Sequence, residues 1–252
     1  MRIAFFDIDG TLATGTDVPA SAEAALARMR AQGDLVFICT GRPRGYVERH
    51  FGRYADGFVC SNGRLCVRGD ERLIDAYLSE AEVRELIAIL EEAGAGYAFF
   101  GERELWYGGN PAYRHVAEGA KGPHADLVDP AAIHAYSFDI YFADAVERDA
   151  IAAALEGKCL VNPHGPHPSA DVTVLGHGKG EAVRDVAAAL GVDLSDTYAF
   201  GDGINDLSMI EAAGHGIAMG NAVPEVKAAA EYVTADITAD GVALAMQHYG
   251  LA

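Results

Sequence analysis

The chain has 252 residues, half of them hydrophobic and 22% charged, a composition that sustains a sizeable folded core and excludes wholesale disorder. Thirty-seven Asp and Glu against 19 Lys and Arg give a formal net charge of −18. That excess disfavours a partner held mainly by phosphate-backbone neutralisation, so no nucleic-acid partner is expected.

From the N-terminus, residues 3–6 (Ile-Ala-Phe-Phe) form an apolar run of strand length, and 35–39 and 58–60 are two more. Asp7 and Asp9 follow the first run at once, where a signal peptide needs apolar residues. No stretch reaches the roughly 18 apolar residues of a membrane span. A cytoplasmic protein with no membrane partner is expected. Between the first two runs, Ala22, Ala25, Leu26 and Met29 recur at helical spacing, with Pro19 suited to the first turn and Gly33 to the stop. Strand–helix–strand repetition with strands apolar throughout implies a parallel sheet covered on both faces.

The middle of the chain changes character. Ser79 and Glu82 form a capping box that opens a helix with Val83, Leu86, Ile87 and Leu90 on one face. Strand-like segments at 97–100 and 104–107 suggest an antiparallel hairpin. A strand at 137–142 precedes a helix capped by Asp144 and Glu147, and strands at 158–161 and 171–175 flank a His/Pro-rich loop. The first pattern then returns: helices at 181–190, 206–213, 224–230 and 242–249 alternate with strands at 198–200, 216–219 and 232–234. The expected fold is α/β, with a doubly wound, Rossmann-like, mostly parallel sheet formed by residues 1–78 and 178–252. A smaller α+β module, 79–177, interrupts it. Cys39, Cys60, Cys66 and Cys159 have no Cys-x-x-Cys or metal-site spacing and read as free thiols of a reducing compartment.

Four motifs carry chemistry. Asp7-Ile8-Asp9-Gly10-Thr11 follows the first strand, at the edge where open α/β sheets bind ligands. Two carboxylates at this spacing can share a hard cation and still divide their roles. Thr40-Gly41-Arg42-Pro43 also follows a strand, and its hydroxyl and amides suit an anion, with Arg42 able to add a bidentate grip. Lys179, one of four lysines, lies between glycines just before a helix. Gly201-Asp202-Gly203-Ile204-Asn205-Asp206 packs three ligating or hydrogen-bonding side chains behind another strand.

In this order, the four motifs resemble those of the haloacid-dehalogenase superfamily of phosphotransferases, and the insertion resembles the α/β cap of its Cof-type phosphatases. Ser61-Asn62-Gly63 is also similar, and the likeness covers the whole chain. The resemblance implies Asp7 as a nucleophile that becomes a phosphoaspartate and Asp9 as general acid and then base. It implies Mg²⁺ held by Asp7, the Asp9 carbonyl and Asp202, steadied by Asp206 and Asn205. Thr40, Gly41 and Lys179, with Asn205 nearby, would hold the phosphoryl group of a small phosphoester, sugar phosphates leading. Thr11 reads as a hydroxyl that orients its loop, with a phosphate contact as the alternative. Arg42, Arg44, His164 and His167 are candidate substrate contacts, and Asn221 resembles a position lining such sites. A phosphomutase would need an Arg-dense cap, which is lacking between Ser79 and His177. A phosphonatase would need a cap amine, for which Lys121 and Lys158 are the candidates. A phosphometabolite sensor would not need both Asp7 and Asp9. Monomer and dimer both stay open.

Overall fold

A computed structural model describes residues 1–121 and 124–252, with only the backbone described at 120 and 121. In chain order the elements are β1 (Ile3–Phe6), α1 (Ala20–Ala31), β2 (Leu35–Cys39), α2 (Arg44–Phe51), β3 (Gly57–Cys60), β4 (Leu65–Arg68) and β5 (Glu71–Asp75). Next come α3 (Glu80–Glu92), β6 (Gly96–Phe100), β7 (Leu105–Gly109), α4 (Arg114–Lys121), β8 (Ala125–Asp126), β9 (Ser137–Tyr141), α5 (Ala145–Ala154), β10 (Cys159–Pro163) and β11 (Ser169–Val174). The chain closes with α6 (Lys179–Ala189), β12 (Thr197–Gly201), α7 (Leu207–Ala212), β13 (His215–Ala218), α8 (Pro224–Ala229), β14 (Tyr232–Val233) and α9 (Gly241–His248).

Two compact units result: Met1–Asp75 with His177–Ala252, and Ala76–Gly176. The first is built on a sheet of order β14-β13-β12-β1-β2-β3-β4-β5, parallel from β14 to β3 and antiparallel over its last two strands. All four residues of β1 are fully buried, because helices cover both sides of a parallel sheet and each strand must be apolar in both directions. Phe6 stacks on Phe200 with centroids 4.4 Å apart. On α1 the four apolar residues at helical spacing are all buried, so its helical period is satisfied by the core.

Register places the chemistry. Phe6 pairs with Ile38 of β2 and with Phe200 of β12, so the chain leaves all three strands at the same sheet edge. Asp7, Thr40 and Asp202 therefore emerge side by side, and the Asp7 N–H still donates to the Phe200 carbonyl at 3.0 Å.

The second unit carries a sheet of order β10-β11-β9-β6-β7-β8, antiparallel except between β7 and β8. Leu86 and Leu90 of α3 and Ile151 of α5 belong to one core with Phe99, Phe138 and Ile140 of the sheet. The alternate sheet residues Phe100, Tyr107 and Tyr141 cluster with Ala117 of α4. The Ser79 capping box is formed: Ser79 Oγ accepts the Glu82 N–H, and Glu82 Oε2 accepts the Ser79 N–H at 2.8 Å. Among the described residues, no helix is long and apolar enough to cross a membrane.

One boundary differs with consequence. Lys179 is the first residue of its helix rather than the residue before it, because Gly178 serves as the cap and its N–H donates to Glu181 Oε2 at 3.0 Å.

Candidate active site

At the carboxyl edge of the first unit's sheet, the strands β1 and β12 deliver Asp7, Asp202 and Asp206, and α6 delivers Lys179. Lys179 Nζ lies 2.6 Å from Asp7 Oδ1 and 2.6 Å from Asp206 Oδ1. The lysine is 1% exposed, so its charge is taken out of water and must be matched by these two carboxylates. Burial works against the ammonium, but Asp206 and Asp7 outweigh it and hold Lys179 firmly protonated. Burial, then the Asp206 charge, push the Asp7 carboxyl well above the ordinary carboxylate range against the pull of Lys179.

Asp206 is fully engaged. Beyond Lys179, its Oδ2 accepts the Asp202 and Gly203 N–H groups at 3.0 and 2.9 Å. It thereby fixes both the lysine and the loop that presents Asp202. Asp202 Oδ1 accepts the Thr11 hydroxyl at 2.8 Å, so that hydroxyl is spent on orientation. Burial raises the Asp202 carboxyl to about 6, with the Thr11 bond pulling it down and Asp206 pushing it up.

Gly10 has a left-handed φ of +85°, and a Cβ there would stand 2.3 Å from Asp202 Oδ2, so only glycine lets the two loops meet. Asn221 pins the same place: its Nδ2 donates to the Gly10 carbonyl at 2.8 Å and its Oδ1 accepts the Ile237 N–H at 3.0 Å. Asn205 is half-buried in the same turn as Asp202, and a Cβ added at Gly203 would stand 2.7 Å from its Oδ1.

Could this group hold a divalent cation? Asp7, Asp202 and Asp206 each offer an oxygen, all within 4.8 Å of one another. Crowded carboxylates, two of them (Asp7 and Asp202) held above their ordinary pKa by burial, are the donor set of a hard cation. The Asp9 carboxylate stands outside this group. It is 47% exposed and paired with Arg42, so any ligand from Asp9 would be its backbone oxygen.

Thr40 is buried at the end of β2, where its N–H donates to Val59 O at 2.9 Å and its Oγ1 accepts the Arg42 N–H at 3.2 Å. Behind it, Ser61 and Asn62 adopt positive φ values of 52° and 54°, and the Asn62 N–H donates to the Thr40 carbonyl at 3.0 Å. Gly63 then passes so close to Gly178 that an added Cβ would lie 2.3 Å from its carbonyl oxygen. This turn thus touches both the Thr40–Arg42 loop and the start of the Lys179 helix.

The remaining candidates stand elsewhere. Arg44 Nε bonds Glu48 Oε1 at 2.6 Å, one helical turn on, which holds it along α2. His164 and His167 belong to the second unit, where His164 Nδ1 is 2.9 Å from Ser169 Oγ. Lys158 pairs with Glu85 at 2.6 Å, and the Lys121 side chain lies outside the described residues. Cys39, next to Thr40, is buried, and burial pushes its thiol to about 12, so it is no nucleophile. All four cysteines are free.

A model of the haloacid dehalogenase-like hydrolases matches residues 4–246. The chain is 34% identical over 258 residues to YkrA of Bacillus subtilis (strain 168), covering 99% of this chain and 98% of that one. It is 28% identical to 5-amino-6-(5-phospho-D-ribitylamino)uracil phosphatase YwtE of the same organism, covering 96% of each. Among solved structures it is similar to the HAD subclass IIB sugar phosphatase BT4131, with a TM-score of 0.81, 29% identity and full coverage of both chains.

Proposed function

This chain belongs to the haloacid dehalogenase-like hydrolases and is a phosphatase of that family, and we propose that it hydrolyses small phosphorylated metabolites, sugar phosphates first among them. The observation that carries the reading is the Asp7–Lys179–Asp206 triad with Asp202 beside it, where a buried cation and a cation-ready acid cluster flank one nucleophilic carboxylate. Sugar phosphates are supported by BT4131, a sugar phosphatase, and by YwtE, whose named substrate carries a phosphorylated ribityl chain.

The chemistry follows from the residues. A carboxylate approaching a phosphate ester meets Coulomb repulsion, and Lys179 lowers it from a fixed position. Asp7 would attack phosphorus through an Oδ, forming an acyl phosphate as the ester P–O bond breaks, while Asp9 gives its proton to the departing oxygen. Water would then attack the phosphoaspartate, its proton passing to Asp9, and Asp7 is released with inorganic phosphate. Thr40 and the Gly41 amide would hold the phosphoryl oxygens, with Asn205 close by. Mg²⁺ would be held by Asp7, Asp202 and the Asp9 carbonyl, with Asp206 steadying them, and when bound would supply neutralising charge to the phosphoryl oxygens. The second unit is assigned substrate choice, with His164 and His167 its candidate contacts. Free thiols support a cytoplasmic setting.

The test is phosphate release from an aryl phosphate with and without Mg²⁺, followed by a panel of phosphorylated sugars. Asp7→Asn is expected to abolish release; undiminished release would remove Asp7 as the nucleophile.

A further inference from the structure

Arg42 follows the Thr40-Gly41 loop, where a guanidinium is expected to grip a phosphoryl group. Its fork is instead closed on Asp9: Nε donates to Oδ2 and Nη2 to Oδ1, each at 3.0 Å. Two parallel bonds fix the plane of a carboxylate as well as its distance. The guanidinium carbon also lies 4.8 Å from the centroid of the Tyr46 ring, which braces the fork from α2. The Arg42 backbone is held at both ends, its N–H by Thr40 Oγ1 and its carbonyl by the Ser61 N–H, each at 3.2 Å. Arg42 and Asp9 are 38% and 47% exposed. An ion pair so exposed adds little to stability, so its consequence is geometric.

We propose that Arg42 is a positioning residue that acts through Asp9 and does not bind the phosphoryl group itself. It holds the Asp9 carboxyl by both oxygens when ionised, and by the carbonyl oxygen when the other carries the proton handed to the ester oxygen. This rests on Asp9 being the acid of the first step. Without the fork, an exposed carboxylate on a loop samples several rotamers, and small misplacements of an acid are costly in rate.

The test compares kcat/KM, which reports steps up to departure of the leaving group, for dinitrophenyl phosphate and glycerol phosphate. The first leaves without a proton and the second needs one. In Arg42→Ala the aryl-to-alkyl ratio of kcat/KM is expected to rise about tenfold or more, a fraction of what a general acid supplies. Arg42→Lys, with no fork, moves the ratio the same way by less. Adding Arg42→Ala to Asp9→Asn moves it no further. Equal losses on both substrates in Arg42→Ala would overturn the proposal, since a phosphoryl grip or a general loop defect weakens both alike. A further shift in the double variant would overturn it as well. Asp9→Asn alone is the separate check: an unchanged ratio there means that Asp9 is not the acid, and the role of Arg42 falls with it.

Discussion

Replacing Lys179 with methionine removes a charge from the most crowded point of the first unit while keeping most of the side-chain volume. The ammonium is 2.6 Å from each of two carboxylate oxygens, and all three groups are buried. At an effective dielectric of about 20, each such contact carries roughly 6 kcal/mol of attraction. Two carboxylates about 5 Å apart repel by about 3 kcal/mol on the same footing. Removing each ion from water costs several kcal/mol, so the intact triad adds little net stability. The variant differs, because buried Asp206 loses its matching cation and Asp7, already pushed up by burial and the Asp206 charge, is driven further toward its protonated form, a loss of about 3–5 kcal/mol. For a unit of this size that is roughly 6–20 °C in Tm. Scanning calorimetry of metal-free protein near neutral pH measures it. Adding Asp206→Asn to Lys179→Met should recover part of the loss, since one stranded charge is gone. A metal-free Lys179→Met protein that melts with the wild type would refute the bridged arrangement.

Other expectations follow from the same site. Gly10→Ala should fold yet lose about a hundredfold or more in turnover, because its Cβ collides with Asp202; wild-type turnover would contradict that contact. Thr11→Val removes the 2.8 Å bond to Asp202 without changing shape, and the Mg²⁺ concentration for half-maximal activity should rise about tenfold. An unchanged Mg²⁺ titration would leave that hydroxyl without an orienting role. With no metal present, melting temperature should fall as pH rises from about 4 to about 6 through Asp202 and on to about 8 through Asp7. Over that window the folded state keeps protons on Asp202 and Asp7 that the unfolded chain has lost, so the folded state weakens as each proton leaves. Saturating Mg²⁺ should flatten this fall, as thermal melts across a pH series would show. In the second unit, Asp144→Ala removes the cap that accepts the Val146 and Glu147 N–H groups at 2.8 and 3.0 Å. It should cost about 1 kcal/mol in urea unfolding.

Local signals in the sequence carried well into the structure. The apolar runs at 3–6 and 35–39 are strands at those bounds, and the Ser79 cap and the four core positions of α3 are formed. Strand endings also told where Asp7 and Asp202 come together, because carboxyl ends of parallel strands share one edge. Side-chain pairings across long sequence separations left no local trace. Arg42 reads as an anion grip, and nothing near it announces that its fork is filled by Asp9, 33 residues away. Asn221 was visible by resemblance as a residue lining the site, but its hold on the Gly10 carbonyl was not. The left-handed backbone at Ser61 and Asn62 was equally hidden, since neither residue is a glycine. Glycines around Lys179 blurred the start of its helix, which Gly178 and Glu181 decide through one hydrogen bond.

The central position of β1 has a consequence for how the protein is made. Its neighbours are β2 and β12, and Phe6 meets a partner at Phe200. On a translating ribosome, some 190 residues separate the two, which at about 5–20 residues per second is a wait of about 10–40 s. Through that interval the nascent β1 has one edge open and Asp7 lacks its Lys179 partner, and every residue of the second unit is synthesised before the wait ends. The Asp7–Lys179–Asp206 bridge closes only once α6 and the loop after β12 have been added, so chains arrested before that point hold Asp7 without its ion-pair partner.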